Sequence, residues 1–238
     1  LSKVEKILHK VIPSVLDNLL TPLFTVFITG LLTFIVIGPI MRGVGNAITV
    51  SLIGLINILG PIGGGIFGFF YAPIVITGMH HSFTAVETQL LADVATTGGS
   101  FIFPVAAMSN VAQGAAALAV ILILKNDKKM KGIASASGIS ALLGITEPAI
   151  FGINLKLSYQ FYGAMVGSAV ASAYIMLTKV LALAPGAAGL PGIISIRPDS
   201  MFNYAIGMII SMSIAVISTI TLAKVMNKKK SKVMQTIC

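Results

Sequence analysis

Five stretches of this chain lack Asp, Glu, Lys and Arg over more than the length of a membrane crossing. They are Asn18 to Met41, Gly43 to Met79, Val94 to Leu124, Leu157 to Thr178 and Ser200 to Ala223. A helix needs about 20 apolar residues to cross the hydrocarbon core. A soluble domain would alternate apolar and polar faces instead. The pattern predicts an all-α polytopic membrane protein with about five transmembrane helices. The first is expected over Leu19–Ile40, with Pro22 tolerated near its first turn and Gly38-Pro39 breaking it near its end. A second falls within Ala47–Phe70, whose far end, GPIGGGIFGFFYAP, must loosen or stop the helix. Phe101–Leu124 reads as a clean span, and two more lie within Leu157–Leu183 and Ser200–Ala223.

Two apolar segments carry too many polar residues to face lipid. Ala72–Asp93 holds two His, one Glu and one Asp, and Gly132–Lys156 is short and polar. Both are expected as re-entrant hairpins, because irregular backbone at membrane depth survives only where protein or water satisfies it. At the N-terminus, Val4, Ile7, Leu8, Val11, Ile12 and Val15 recur at helical spacing, with Lys3, Lys6 and Lys10 on other faces. That pattern predicts an amphipathic helix lying in the interface. The organisation is therefore an interfacial segment over 1–17, a membrane part over 18–223 and a basic tail over 224–238.

Charge refines the topology. Only 10% of residues are charged and the mean hydropathy is +0.98, yet the net charge is +9. Most of the Lys residues sit at the ends of apolar runs, as the positive-inside rule requires, and a nucleic-acid partner is not implied. Lys125 to Lys131 and Lys224 to Lys232 are expected in the cytoplasm, with two full spans between them if the second hairpin is re-entrant. Counting back three spans puts the N-terminal segment outside, unless Ala72–Asp93 truly crosses. The one cysteine, Cys238, ends the chain, so no disulfide within the chain is expected. The first residues lack a signal-peptide pattern and an initiator Met, which points to a fragment of a longer protein.

Candidate chemistry begins at Glu147, since an ionisable group costs about 2.5–3.5 kcal/mol at the centre of a membrane helix. Pro148 is expected to hold Glu147 extended and to open a helix after it. There the carboxylate either binds hydroxyls of a sugar-like ligand or caps the helix with no ligand. His80 and His81 offer imidazoles that both donate and accept, fitting a hydroxyl ligand or a proton relay. Adjacent positions point apart and no third ligand follows at zinc spacing, so no metal or cofactor is expected. Glu87, two helical turns beyond His80, touches substrate or balances a cation such as Arg42 or Lys156. Asn110 and Gln113 project together from one span, toward substrate or a neighbouring helix. The triplet Gly63 to Gly65 lacks the Lys-Ser/Thr ending of a phosphate loop, and close helix packing explains it.

Two strings carry a family resemblance. GITEPAIFGINLKL, from Gly144 to Leu157, closely resembles the signature of enzyme IIC, the membrane permease of the bacterial phosphoenolpyruvate-dependent sugar phosphotransferase system, glucose superfamily. VITGMHHSFTAVETQLLAD, from Val75 to Asp93, is similar to the histidine segment of its sucrose and trehalose branch. The resemblance implies a permease in the bacterial cytoplasmic membrane that couples uptake of a disaccharide, sucrose first, to its phosphorylation. Trehalose, maltose and a β-glucoside remain open, as does a non-phosphorylating secondary transporter. It implies substrate binding by Glu147 and by His80, on which the family's G-x-H pattern falls, with Glu147 or His80 as a proton acceptor. Thr146, Asn154 and Lys156 flank the GITEP turn and are expected to bind substrate; Asn154 and Lys156, which belong to the matching string, would reach sugar hydroxyls or the phosphoryl group. The implied partners are a IIB domain bearing a phosphocysteine, then IIA, HPr and enzyme I, with a homodimer formed through an N-terminal half not seen here.

Overall fold

The computed structural model describes the backbone of residues 2–124 and 127–237. Lys125 and Cys238 lie outside the described residues, as do the side chains of Lys3, Val11, Val15, Arg42 and positions 227–237. The elements in order are α1 (Ser2–Val11), α2 (Ser14–Leu32), α3 (Gly38–Leu59), α4 (Pro61–Ile76), α5 (Phe83–Ala92), the single turn α6 (Val94–Thr97), α7 (Ile102–Ile123), α8 (Lys128–Leu142), α9 (Glu147–Ala149), α10 (Leu155–Leu157), α11 (Tyr159–Leu177) and α12 (Met201–Ile237). Two compact units result, Leu1–Val50 and Ser51–Cys238.

In the first unit the segment expected as one amphipathic helix is divided: α1 ends at Val11, Pro13 intervenes, and Val15 falls in α2, against which α1 folds. His9 Nδ1 lies 2.7 Å from Asp17 Oδ2, and the Thr21 hydroxyl donates to Asp17 Oδ1 at 2.5 Å. Leu19–Ile40 is long and apolar enough to cross a membrane. The expected break at Gly38-Pro39 does not occur. Gly38 stays helical (φ −55°) and donates to the Thr33 carbonyl, closing a π turn over Thr33–Ile37. A proline ring clashes with the carbonyl four residues back. The wider π turn relieves that clash and lets the helix run on into α3.

The same dipeptide recurs at Gly60-Pro61 with the opposite result. Gly60 takes φ +54°, α3 ends, and α4 starts with Pro61 in its first turn. The span expected within Ala47–Phe70 is thus divided at the start of its glycine-rich stretch. The first hairpin likewise begins earlier than Ala72: Pro61–Ile76 and Met79–Ala92 form one bent pair, angled at 113°.

The second unit is a bundle around α7 and α11. The span of α7 is 78% buried against 28% for that of α12, so α7 is the central post. Its length matches the expected span, as do Tyr159–Leu177 and Pro198–Met226 for the last two. Small residues bring the helices together. A Cβ on Gly68 of α4 would sit 2.9 Å from the Ser168 carbonyl oxygen, and one on Gly167 of α11 would sit 2.8 Å from Ala215. Ser168 Oγ donates to the Gly68 carbonyl at 2.6 Å across this contact. Gly64 and Gly65 pack on α11 in the same way.

The bundle has two distinguishable ends. At one, Ser100 pairs in antiparallel bridges with Ala182, and Ala182 with Ile196, tying the start of α7 to the α11–α12 connection. At the other, Leu122 and Ile123 line a groove with Ile220, Ala223 and Lys224. The Lys at 128 and 129, just beyond α7, therefore share an end with Lys224, as the parity of the basic clusters requires.

Candidate functional site

The first hairpin turns at Thr77-Gly78. The Thr77 hydroxyl donates to the Ile74 carbonyl at 2.7 Å, and Gly78 takes φ +75°, which glycine adopts without steric cost. A 3-10 turn over Met79–Ser82 follows and carries both histidines. Their rings stack obliquely, centroids 4.0 Å apart. His81 is exposed, whereas His80 is half-buried. Nδ1 of His80 is buried with no hydrogen-bond partner among the described residues, and the Val75 carbonyl interacts with the ring.

The second hairpin descends along α8 and turns back through Gly144, whose φ of +103° again suits glycine. Ser140 Oγ donates to the Ile145 carbonyl, and Ile145 N–H to the Ser140 carbonyl, each at 3.0 Å. Thr146 is buried at the turn, and its carbonyl accepts from Ile150 N–H at 2.9 Å. Helix α9 starts at Glu147 itself with Pro148 next, so the carboxylate sits in the first turn rather than on an extended residue before it. A π turn over Ile150–Asn154 and α10 continue the return arm to Ser158, which takes the sterically crowded φ of +62°.

His80 and Glu147 lie close enough to interact electrostatically. Glu147 is exposed, so its oxygens are free to accept from a ligand. Of the remaining sequence-derived residues, Glu87, Asn110, Gln113 and Asn154 hydrogen-bond within the protein. Glu87 accepts from the Ser100 hydroxyl at 3.1 Å and interacts with the buried Tyr71; among the described residues it forms no ion pair with Lys156. Lys156 is exposed on α10. Asn110 donates to the Ala188 carbonyl at 2.8 Å. Gln113 and Asn154 are buried against each other, Asn154 Nδ2 reaching Gln113 Oε1 at 2.6 Å. Among the described residues, no cluster of His, Cys, Asp or Glu could hold a metal ion.

Sequence reasoning missed one participant. The connection after α11, LAPGAAGLPG, folds back against the second hairpin. Gly144 abuts Ala187 and Ala188, Gly189 abuts Leu142 and Leu143, and the buried Tyr204 hydroxyl donates to the Gly189 carbonyl at 3.0 Å. The signal was its run of Ala and Gly, small enough for backbone to meet backbone.

The family model described as "Phosphotransferase system, EIIC" matches residues 1–168. The sucrose-specific EIIBC component of the phosphotransferase system of Pasteurella multocida (strain Pm70) is 62% identical over 94% of this chain and 47% of its own length. That of Vibrio alginolyticus is 62% identical over 93% and 46%. The trehalose-specific EIIBC component of Bacillus subtilis (strain 168) is 44% identical over 96% and 48%. The chain spans about half the length of these curated relatives. No solved structure matches.

Proposed function

Because the chain belongs to the EIIC family of the phosphotransferase system, we propose that it forms the sugar-binding part of a sucrose permease whose uptake is coupled to phosphorylation. The observation that carries this reading is that His80 and Glu147, each on its own hairpin of a membrane bundle, lie close enough to interact electrostatically. A carboxylate accepts two hydroxyl protons from a sugar, while an imidazole both donates and accepts. Thr146 precedes Glu147 at the hairpin turn, and Lys156 offers a cation to the phosphoryl group.

The permease holds the acceptor hydroxyl in place, and the phosphoryl group comes from the cysteine of a IIB domain, fed by IIA, HPr and enzyme I. The relatives named EIIBC support the IIB partnership. Holding acceptor and donor together converts a bimolecular encounter into an oriented one, the main service a permease renders to the chemistry. Glu147 or His80 accepts the proton as the hydroxyl attacks. The chain sits in the bacterial cytoplasmic membrane with its Lys-rich end, Lys128 to Lys131 and Lys224, in the cytoplasm. The complete permease is a homodimer.

Sucrose stands ahead of trehalose because sucrose-specific relatives reach 62% identity and the trehalose-specific one 44%. The test is uptake of labelled sucrose and trehalose by vesicles carrying the complete permease, with and without IIB and its donors. Sucrose should accumulate as a phosphate ester only when the donors are present. Preferential phosphorylation of trehalose would reassign the substrate, and accumulation of free sugar on an ion gradient would make the protein a secondary transporter.

A further inference from the structure

The return arm from Glu147 to Leu157 has two faces of different character. Ala149, Ile150, Ile153 and Asn154 are buried, while Glu147, Pro148, Phe151, Leu155 and Lys156 are exposed. In an unbroken α-helix, residues seven apart share a face. Glu147 and Asn154 are seven apart and do not, because the π turn over Ile150–Asn154 slows the rotation between them, with Leu155 N–H reaching the Ile150 carbonyl. The arm is thereby pinned at one end and free to present Glu147 at the other.

Asn154 is the pin. Its Nδ2 donates at once to the Gln113 carbonyl at 3.0 Å and to Gln113 Oε1 at 2.6 Å, with Asn154 0% and Gln113 1% exposed. Gln113 lies on α7, the most buried post of the bundle. Away from water such a bond has no competitor, and it holds its partners to one geometry. The arrangement also leaves Asn154 Oδ1 and Gln113 Nε2 buried without partners among the described residues. A contact selected for packing alone would place apolar side chains here and avoid that cost.

We propose that Asn154 and Gln113 are positioning residues: they touch no sugar, and fix the π-turned arm so that Glu147 is presented beside His80. This rests on the reading that Glu147 binds sugar. It assigns the two buried amides a role distinct from the substrate contacts their place in the sequence implies.

The experiment compares Asn154→Leu, Gln113→Met and Glu147→Gln in the complete permease, with two readouts. The first needs no sugar: the titration midpoint of the His80 ring by NMR. Glu147→Gln moves that midpoint by removing a charge, and Asn154→Leu should move it in the same direction by displacing the same charge. The second is sucrose affinity. Asn154→Leu should weaken binding at least about tenfold, Gln113→Met less because its backbone acceptor survives, and Asn154→Leu should add nothing once Glu147 is Gln. An unchanged His80 midpoint in Asn154→Leu overturns the proposal, as does a full additive loss of affinity in the Glu147→Gln background. If Asn154→Leu does not fold, Gln113→Met carries the same two readouts. Wild-type affinity in Glu147→Gln with a shifted midpoint in Asn154→Leu leaves the pin standing and removes the sugar-binding reading instead.

Discussion

His80 and Glu147, far apart in the chain, lie close enough in the fold for their charges to interact. Neither sits on a helix that simply crosses. His80 follows the sharp turn between α4 and α5, and Glu147 opens the return arm of the second hairpin. Each hairpin turns on a glycine of positive φ and rests on a helix that does span. The polar chemistry is thus carried by the parts of the chain least suited to lipid, and the apolar bundle around α7 holds them in place.

The ends of the bundle predict a labelling pattern. Lys129 and Asp199 are exposed at opposite ends. Single cysteines at these positions, in a permease with Cys238 replaced by Ser, should react from opposite sides of the membrane, Lys129→Cys from the cytoplasm. Labelling of both from one side would contradict the re-entrant character of the second hairpin.

Helix contacts through glycine predict opposite effects for one chemical change. Gly68→Ala must push Ser172 or the Ser168 backbone aside, and overpacking of this kind costs about 1–3 kcal/mol. Gly132 lies in α8 with open space where a Cβ would go, so Gly132→Ala should stabilise by about 0.4–1 kcal/mol. Thermal unfolding in detergent should lower the midpoint for the first and raise it for the second.

Acid should release α1. The Asp17 carboxyl is held below the ordinary carboxylate range, first by the Thr21 hydroxyl and then by the His9 ring. A carboxyl depressed in the folded state stabilises fully above its unfolded value, about 3.9, and that contribution fades as pH falls through the folded value. Hydrogen-exchange protection across Ser2–Val11, relative to the intrinsic rate at each pH, should therefore fall below about pH 4, and Asp17→Asn should show the reduced protection already at neutral pH. Full protection in Asp17→Asn would show that α1 is held by its apolar face alone.

Much of this was legible in the residues because hydrophobic length is a strong signal. The spans of α7, α11 and α12 follow from uncharged runs, and the bend near His80 follows from polar residues that lipid would not tolerate. Backbone detail was not legible. Gly-Pro ends a helix at Gly60 and runs through one at Gly38, since the outcome depends on whether the preceding turn widens to spare the proline ring. The π turn at Ile150–Asn154 hid the burial of Asn154, because regular helical spacing puts that amide on the face of Glu147. The docking of Ala187 to Gly189 on the second hairpin depends on tertiary contact that composition alone does not encode.

Sucrose titration of the purified complete permease carrying Glu147→Gln tests the central claim most directly. The change keeps the size of the side chain and removes its charge. Loss of a charged hydrogen bond should cost about 1.5–3 kcal/mol of binding free energy, with His80→Ala weakening affinity comparably and His81→Ala much less. Wild-type affinity in Glu147→Gln, in a protein that remains folded, would show that the carboxylate is a helix-terminal residue and that sugar is bound elsewhere.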